Sequence, residues 1–293
     1  MFRVSRPLFF SLLIFTLHIT RYPLLNAAFL ESGDARGASL GSSFRIFHPG
    51  PNGLFWNPAS VRPTGKKNLS FTAAKPFAGL DGVDIGVNSL AFLLPLDLVS
   101  TGLSYQSLDA DSYKEEKISL SAAIGGKETA AGLNVNILED SFTLDERSRS
   151  DPLFASGNSK RNISFDLGFV RRIGSFEAGI VFKEINRPDL GLKTEDRLPI
   201  TSVFNLGQQI TLSERWGLRW EVSCFIRGEK KEPRAGAELL SREYRFRIGA
   251  TPDQGSLGLG INHSLLIVDY ALIYPLAVRD IQGTHIVSVG VRF

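Results

Sequence analysis

Three histidines lie beyond the first thirty residues, His48, His263 and His285, and they are the first place to look for chemistry. A zinc centre needs three or four converging ligands, and no His, Cys, Asp or Glu spacing here supplies them. A hydrolase would need a nucleophile within reach of a base. Ser264 is the sequence neighbour of His263, so on a strand the two point to opposite faces. There is no phosphate loop and no dinucleotide fingerprint. The expectation is a protein that is not an enzyme, with no metal and no cofactor.

What remains is a set of charges at a fixed period. Asp166, Glu177, Lys183, Arg219, Glu221, Arg245, Arg247 and Arg292 each sit among residues that alternate with apolar ones. Guanidinium forks match carboxylates, so Arg245, Arg247 and Arg292 are candidates for pairing with an anionic head group.

The elements that position them are strands. Leu103 and Tyr105 oppose Gly102, Ser104 and Gln106, and Ile118, Leu120 and Ile124 oppose Ser119 and Ser121. Trp216, Leu218, Trp220, Val222 and Cys224 oppose Gly217, Arg219, Glu221 and Ser223, and Leu257, Leu259 and Ile261 oppose Gly258, Gly260 and Asn262. This period-two pattern runs through residues 68–293 with no helical stretch to cover a sheet face. Counting less regular runs near 69–74, 85–95, 232–240 and 267–275 gives about fourteen strands, each long enough for a tilted membrane span and a turn. Gly125-Gly126-Lys127 and Gly174-Ser175 read as tight turns, and the polar insertions 139–160 and 186–198 as loops on the opposite rim.

A soluble sandwich and a membrane barrel share this periodicity, because only every second barrel residue faces lipid. Three features favour the barrel. Arg3 and Arg6, the apolar run Leu8–Leu17 and the small pair Ala27-Ala28 form a secretory leader over 1–28. Trp216, Tyr244, Tyr270 and Tyr274 suit interfacial girdles. The last strand, with Val287, Val289, Val291 and Phe293 on one face, is fit to pair with the first and abolish both edges. Its terminal Phe293 also resembles the signal read by barrel-insertion machinery. The net charge of +3 falls near zero once the leader's Arg3, Arg6 and Arg21 are set aside, so no basic patch argues for nucleic acid. The single cysteine, Cys224, excludes a disulfide within the chain.

Residues 29–67 differ in kind. Small residues dominate 32–41, Pro-Gly and Asn-Gly turns follow, and Asn57-Pro58 stops any helix. The segment carries Phe44, Phe47, Phe55 and Trp56, costly in water, so it is expected to sit as a plug in the barrel lumen. These aromatics with Asn57 and Pro58 either line a hydrophobic binding pocket or simply fill the lumen.

The stretches Ala35-Arg36-Gly37-Ala38-Ser39-Leu40-Gly41 and Leu54-Phe55-Trp56-Asn57-Pro58-Ala59 resemble the start of PorV/PorQ-like outer-membrane proteins, within the long-chain fatty-acid transporter (FadL-like) superfamily. Leu198-Pro199, Arg234-Ala235-Gly236-Ala237-Glu238, Tyr244-Arg245-Phe246-Arg247-Ile248-Gly249, Val268-Asp269-Tyr270-Ala271-Leu272 and Gly283-Thr284-His285 follow in family order. The chain departs from the family at Pro49-Gly50-Pro51-Asn52-Gly53. The resemblance implies an all-β, fourteen-stranded transmembrane antiparallel barrel with the N-terminal segment inside, set in outer-membrane lipid. It also implies either a binder or transporter of hydrophobic or amphipathic solutes, or a scaffold for a type IX-like protein-secretion system and its secreted proteins.

Overall fold

The computed structural model describes residues 33–48, 50–62, 67–79, 84–146, 148–276 and 282–293. The expected leader, 1–28, lies outside the described residues. The strands are β1 (Asn68–Ala78), β2 (Ile85–Pro95), β3 (Val99–Ala110), β4 (Tyr113–Gly125), β5 (Thr129–Phe142), β6 (Ser159–Ile173) and β7 (Phe176–Lys183). They continue as β8 (Thr201–Thr211), β9 (Gly217–Arg227), β10 (Lys230–Leu240), β11 (Tyr244–Ala250), β12 (Gln254–His263), β13 (Leu266–Pro275) and β14 (Gly283–Arg292). Each pairs antiparallel with its sequence neighbours, and β14 pairs with β1 from Asn68↔Arg292 to Lys75↔His285, closing the cylinder. No edge is left to template aggregation.

The oily face points out. Leu103, Leu120, Ile248 and Leu257 are each more than half exposed, while their neighbours Ser104, Ser119, Arg247 and Ser256 are buried. The closing strand obeys the same rule, with Val287, Val289 and Val291 exposed and Ser288 buried. A band of large apolar side chains around the whole wall is stable only against hydrocarbon. No helix among the described residues is long and apolar enough to cross a membrane; the strands do so.

Two rims differ. The turns 95–99, 125–129, 173–176, 240–244 and 263–266 are short and share one rim. The connections 142–159 and 183–201 share the other. In outer-membrane barrels the short-turn rim faces the periplasm and the long-loop rim faces outward. The polar insertion expected as a loop over 139–160 is shorter than that. β5 runs on to Phe142 and β6 begins at Ser159, because Glu139 faces Arg161 and Asp140 faces Lys160 across the ladder. Opposite charges across an antiparallel pair stabilise its extension beyond the bilayer.

β7 is short, so β6 residues before Leu167 have no strand partner on that side. The connection 184–200 covers that edge. Asn186 accepts from the Phe165 amide and donates to the Ile163 carbonyl, the Ile185 amide donates to the Phe165 carbonyl, and Leu190 and Leu198 pack on inward-facing Leu138.

The interior is occupied. Helix α1 (Ala35–Ser39), helix α2 (Gly53–Trp56) and a 3-10 turn (Pro58–Val61) lie within the wall. α1 packs on β11 to β14, α2 on β3, and the 3-10 turn on β4 to β6. Inward glycines make the room. A Cβ on Gly132 would lie 2.3 Å from the Pro58 carbonyl carbon, and one on Gly168 would lie 2.0 Å from Asn57 Oδ1. Gly102 meets Leu54, Gly207 meets Phe47, Gly236 meets Leu40 and Gly258 meets Ser39. Mid-strand glycine marks a close backbone approach. Here what approaches is the interior segment.

Candidate functional site

The interior segment is knotted around one carboxylate. Asp34 caps α1 by accepting from the Gly37 amide at 3.0 Å, as short polar side chains do at a helix start. Its Oδ1 also accepts from Trp56 Nε1 at 2.8 Å and meets His48 Nε2 at 3.1 Å, and its Oδ2 accepts from Asn52 at 3.2 Å. Burial alone would push this carboxyl up. The His48 ring, the Trp56 indole and the Gly37 amide outweigh burial and hold it well below the usual carboxylate range. An ionised carboxylate only accepts, so His48 Nε2 donates. Arg45 lies over the Trp56 ring, its guanidinium carbon 5.2 Å from the centroid, and donates to the Trp56 carbonyl at 3.2 Å.

The wall holds the knot through charge. Arg36 meets Glu238 fork to fork, Nε to Oε1 at 3.0 Å and Nη2 to Oε2 at 2.7 Å. Arg247 donates to Glu238 at 2.9 Å and forms an ion pair with Asp269 at 2.8 Å, and Arg219 stands 3.6 Å from Glu238. Glu221 accepts from the Arg45 amide at 2.8 Å and from Asn205 at 2.8 Å. Across the lumen, Asn134 donates to the Leu54 carbonyl at 3.0 Å, Lys183 to the Phe55 carbonyl at 2.9 Å and Arg62 to Glu177 at 2.7 Å. These bonds pair much of the polar wall with the segment, while Ser104 Oγ and Ser164 Oγ stay buried without a hydrogen-bond partner among the described residues.

Among the described residues, a cavity stands between the segment and the wall. It holds about 410 Å³ at the short-turn rim and is bounded by the segment at Arg36, His48 and Asn52 and by strands β9 to β14 and β1. Five arginines, Arg36, Arg219, Arg245, Arg247 and Arg292, face three carboxylates, Asp34, Glu238 and Asp269. Arg36 and Arg247 are committed to carboxylates. Arg245 and Arg292 hydrogen-bond to neutral oxygens instead: Arg245 to the Ser241 and Tyr244 carbonyls, Arg292 to Asn262 Oδ1 at 2.9 Å. The cavity therefore carries positive charge not matched within it.

The structure brings Arg245, Arg247 and Arg292 together around this cavity. It does not bring the aromatics there. Phe44 and Phe47 pack with Leu40, Ile46 and Ala59, and Trp56 is buried against Asp34 and Arg45. Phe55 is half-buried beside the Leu54 cluster, and Asn57 folds back to cap its own turn, donating nothing to the cavity and accepting from the Ala59 amide at 2.9 Å, with Pro58 next to Gly132. Sequence reasoning missed Asp34, Arg36 and Glu238, which organise the interior. The signal that could have found them is a buried-type carboxylate on the polar face of β10 matched with an arginine in a segment otherwise made of small residues.

The closed fourteen-strand wall, with its apolar outer face and polar interior, defines a β-barrel of the outer membrane of a Gram-negative bacterium. The model of the family described as type IX secretion system membrane protein PorP/SprF matches residues 51–291, and the chain belongs to that family. No curated protein matches the chain. Among solved structures it is similar to the CymD monoaromatic hydrocarbon channel (13% identity, 90% of this chain and 98% of that one, TM-score 0.64). It is also similar to the Ralstonia pickettii toluene transporter TbuX (11% identity, 90% and 99%, TM-score 0.61). A third is a Pseudomonas aeruginosa FadL homologue (13% identity, 89% and 98%, TM-score 0.55). At such identities the likeness is one of fold.

Proposed function

We propose that this barrel binds an anionic amphipathic solute in the arginine-lined rim cavity, as one station on a route for hydrophobic or amphipathic molecules through the outer membrane. The observation that carries the reading is the positive cavity between segment and wall, where Arg245 and Arg292 meet only neutral acceptors. The fold likeness to hydrocarbon channels and toluene transporters supports it. The described residues within 29–67 serve as the plug: Phe44, Phe47, Phe55 and Trp56, with Asn57 and Pro58, keep it seated, and passage beyond the cavity requires it to shift. The test is binding of a fluorescent fatty carboxylate to intact protein in nanodiscs. Saturable binding, weakened about tenfold by Arg245→Gln, is expected, since a charged hydrogen bond contributes about 1.5–3 kcal/mol. Binding that ignores this substitution would count against the reading.

Membership of the PorP/SprF family favours a second reading, a component of protein secretion that docks partners on the long-loop rim. The resemblance to PorV/PorQ-like proteins adds to it. Replacing 143–158 and 184–200 would then abolish capture of a secretion partner while solute binding persists. The closing strand, with Phe293 exposed and stacked on Phe92, is the element barrel-insertion machinery would engage.

A further inference from the structure

We propose that the rim cavity seats the phosphate of a phospholipid from the periplasmic leaflet, whose acyl chains lie on the outside of the wall across the β1–β14 seam. This rests on the reading of the cavity as an anion site and names its occupant.

The seam places the two chemistries one residue apart. Asn68 and Arg292 are partners at the end of the β1–β14 ladder, and both face the cavity. The next pair, Leu69 and Val291, also borders the cavity, yet their side chains are exposed on the lipid face at 39% and 41%. Because these pairs end the ladder and lie about 3.3 Å apart along the strand, a lipid passing over the rim there can set its head group on one face and its chains on the other. Phe293 and Phe92 stack beside that outer face and extend the apolar surface available to a tail.

Inside the rim, the wall leaves room at Gly290, where a Cβ would meet nothing nearer than Ile267 at 3.6 Å, while Ser288 beyond it is covered by the Ala35 amide at 2.8 Å. Arg292 stands at the end of the same strand and Arg245 on β11, with hydrogen-bond partners that are all neutral oxygens. A phosphodiester offers one negative charge and two non-bridging oxygens, which a guanidinium fork matches in pairs. The remaining arginines are held off by Glu238 and Asp269, so the excess charge is confined to the rim side. A free phosphate shares the head-group chemistry but gains nothing from Leu69, Val291 or Phe293.

The test titrates intact protein, purified in a neutral detergent, with dihexanoyl-phosphatidylglycerol, dihexanoylglycerol and inorganic phosphate, counting bound molecules by native mass spectrometry. One phosphatidylglycerol per barrel is expected, with dihexanoylglycerol and inorganic phosphate each at least about tenfold weaker. The Arg245→Gln/Arg292→Gln variant should weaken the lipid at least about tenfold while keeping heat-modifiable mobility on gels. Gly290→Leu, whose Cβ would meet nothing nearer than 3.6 Å and whose side chain enters the cavity, should do the same if the double variant does not fold. Undiminished lipid binding in these variants overturns the proposal, and so does inorganic phosphate binding as tightly as the lipid. If a fatty carboxylate still binds through Arg245 while phosphatidylglycerol does not, only this inference falls. If neither binds, the anion reading falls with it.

Discussion

Arg36 and Glu238 stand 202 residues apart in sequence and meet through two hydrogen bonds inside the barrel, with Glu238 almost wholly buried. The pair joins the interior segment to β10, and Arg247 and Arg219 converge on the same carboxylate. Buried ion pairs return little net stability when intact, because desolvation offsets attraction, but removing one partner strands the others. Glu238→Ala is expected to destabilise the folded barrel by about 3–5 kcal/mol. Arg36→Met/Glu238→Met should recover part of that loss, limited by the arginines left behind. The midpoint of the heat-modifiable band on gels reads both, and equal midpoints for wild type and Glu238→Ala would refute the role.

The glycine faces give a steric prediction. Valine at Gly132 or Gly168 must displace Pro58–Ala59 or Asn57, because the Cβ positions overlap backbone or a buried amide. Overpacking of this kind costs about 1–3 kcal/mol, more where the wall cannot yield. Gly86→Val is the control, since a Cβ there meets nothing within 4 Å. Protease cleavage within residues 33–62 should accelerate for the first two variants and not for the control.

Much of the wall was legible in the sequence. Alternation alone told Leu103 from Ser104 and Ile248 from Arg247, because a strand repeats every two residues and a barrel has one face in lipid. The longer β5–β6 hairpin was hidden because the Glu139 and Arg161 pairing that extends it is a matter of register, which periodicity does not reveal. The interior was harder still. Arg36 finds Glu238 only once the wall surrounds the segment, and Asp34 finds Trp56 across 22 residues of chain, so no local spacing announces them. Gly102, Gly132, Gly168 and Gly258 were readable as small residues on the polar face; that they line up as the bed of another segment is a fact of topology.

Acid should loosen the segment only late. The Asp34 carboxyl is held below its unfolded value of about 4, so its stabilising contribution is complete above that pH and is lost as pH falls through the depressed folded value. Hydrogen exchange at the α1 amides, corrected for intrinsic rates, should therefore show steady protection from about pH 8 to 5 and a decline only well below about pH 4. Asp34→Asn should reduce protection already at neutral pH. Wild-type loosening between pH 7 and 5 would contradict the assignment.

Planar-bilayer recording tests most directly whether residues 34–61 close the lumen. Intact folded protein is predicted to give no sustained open-pore steps, and a folded variant with 34–61 excised is predicted to give large ones. Steps of equal size from both proteins would contradict a segment that fills the barrel.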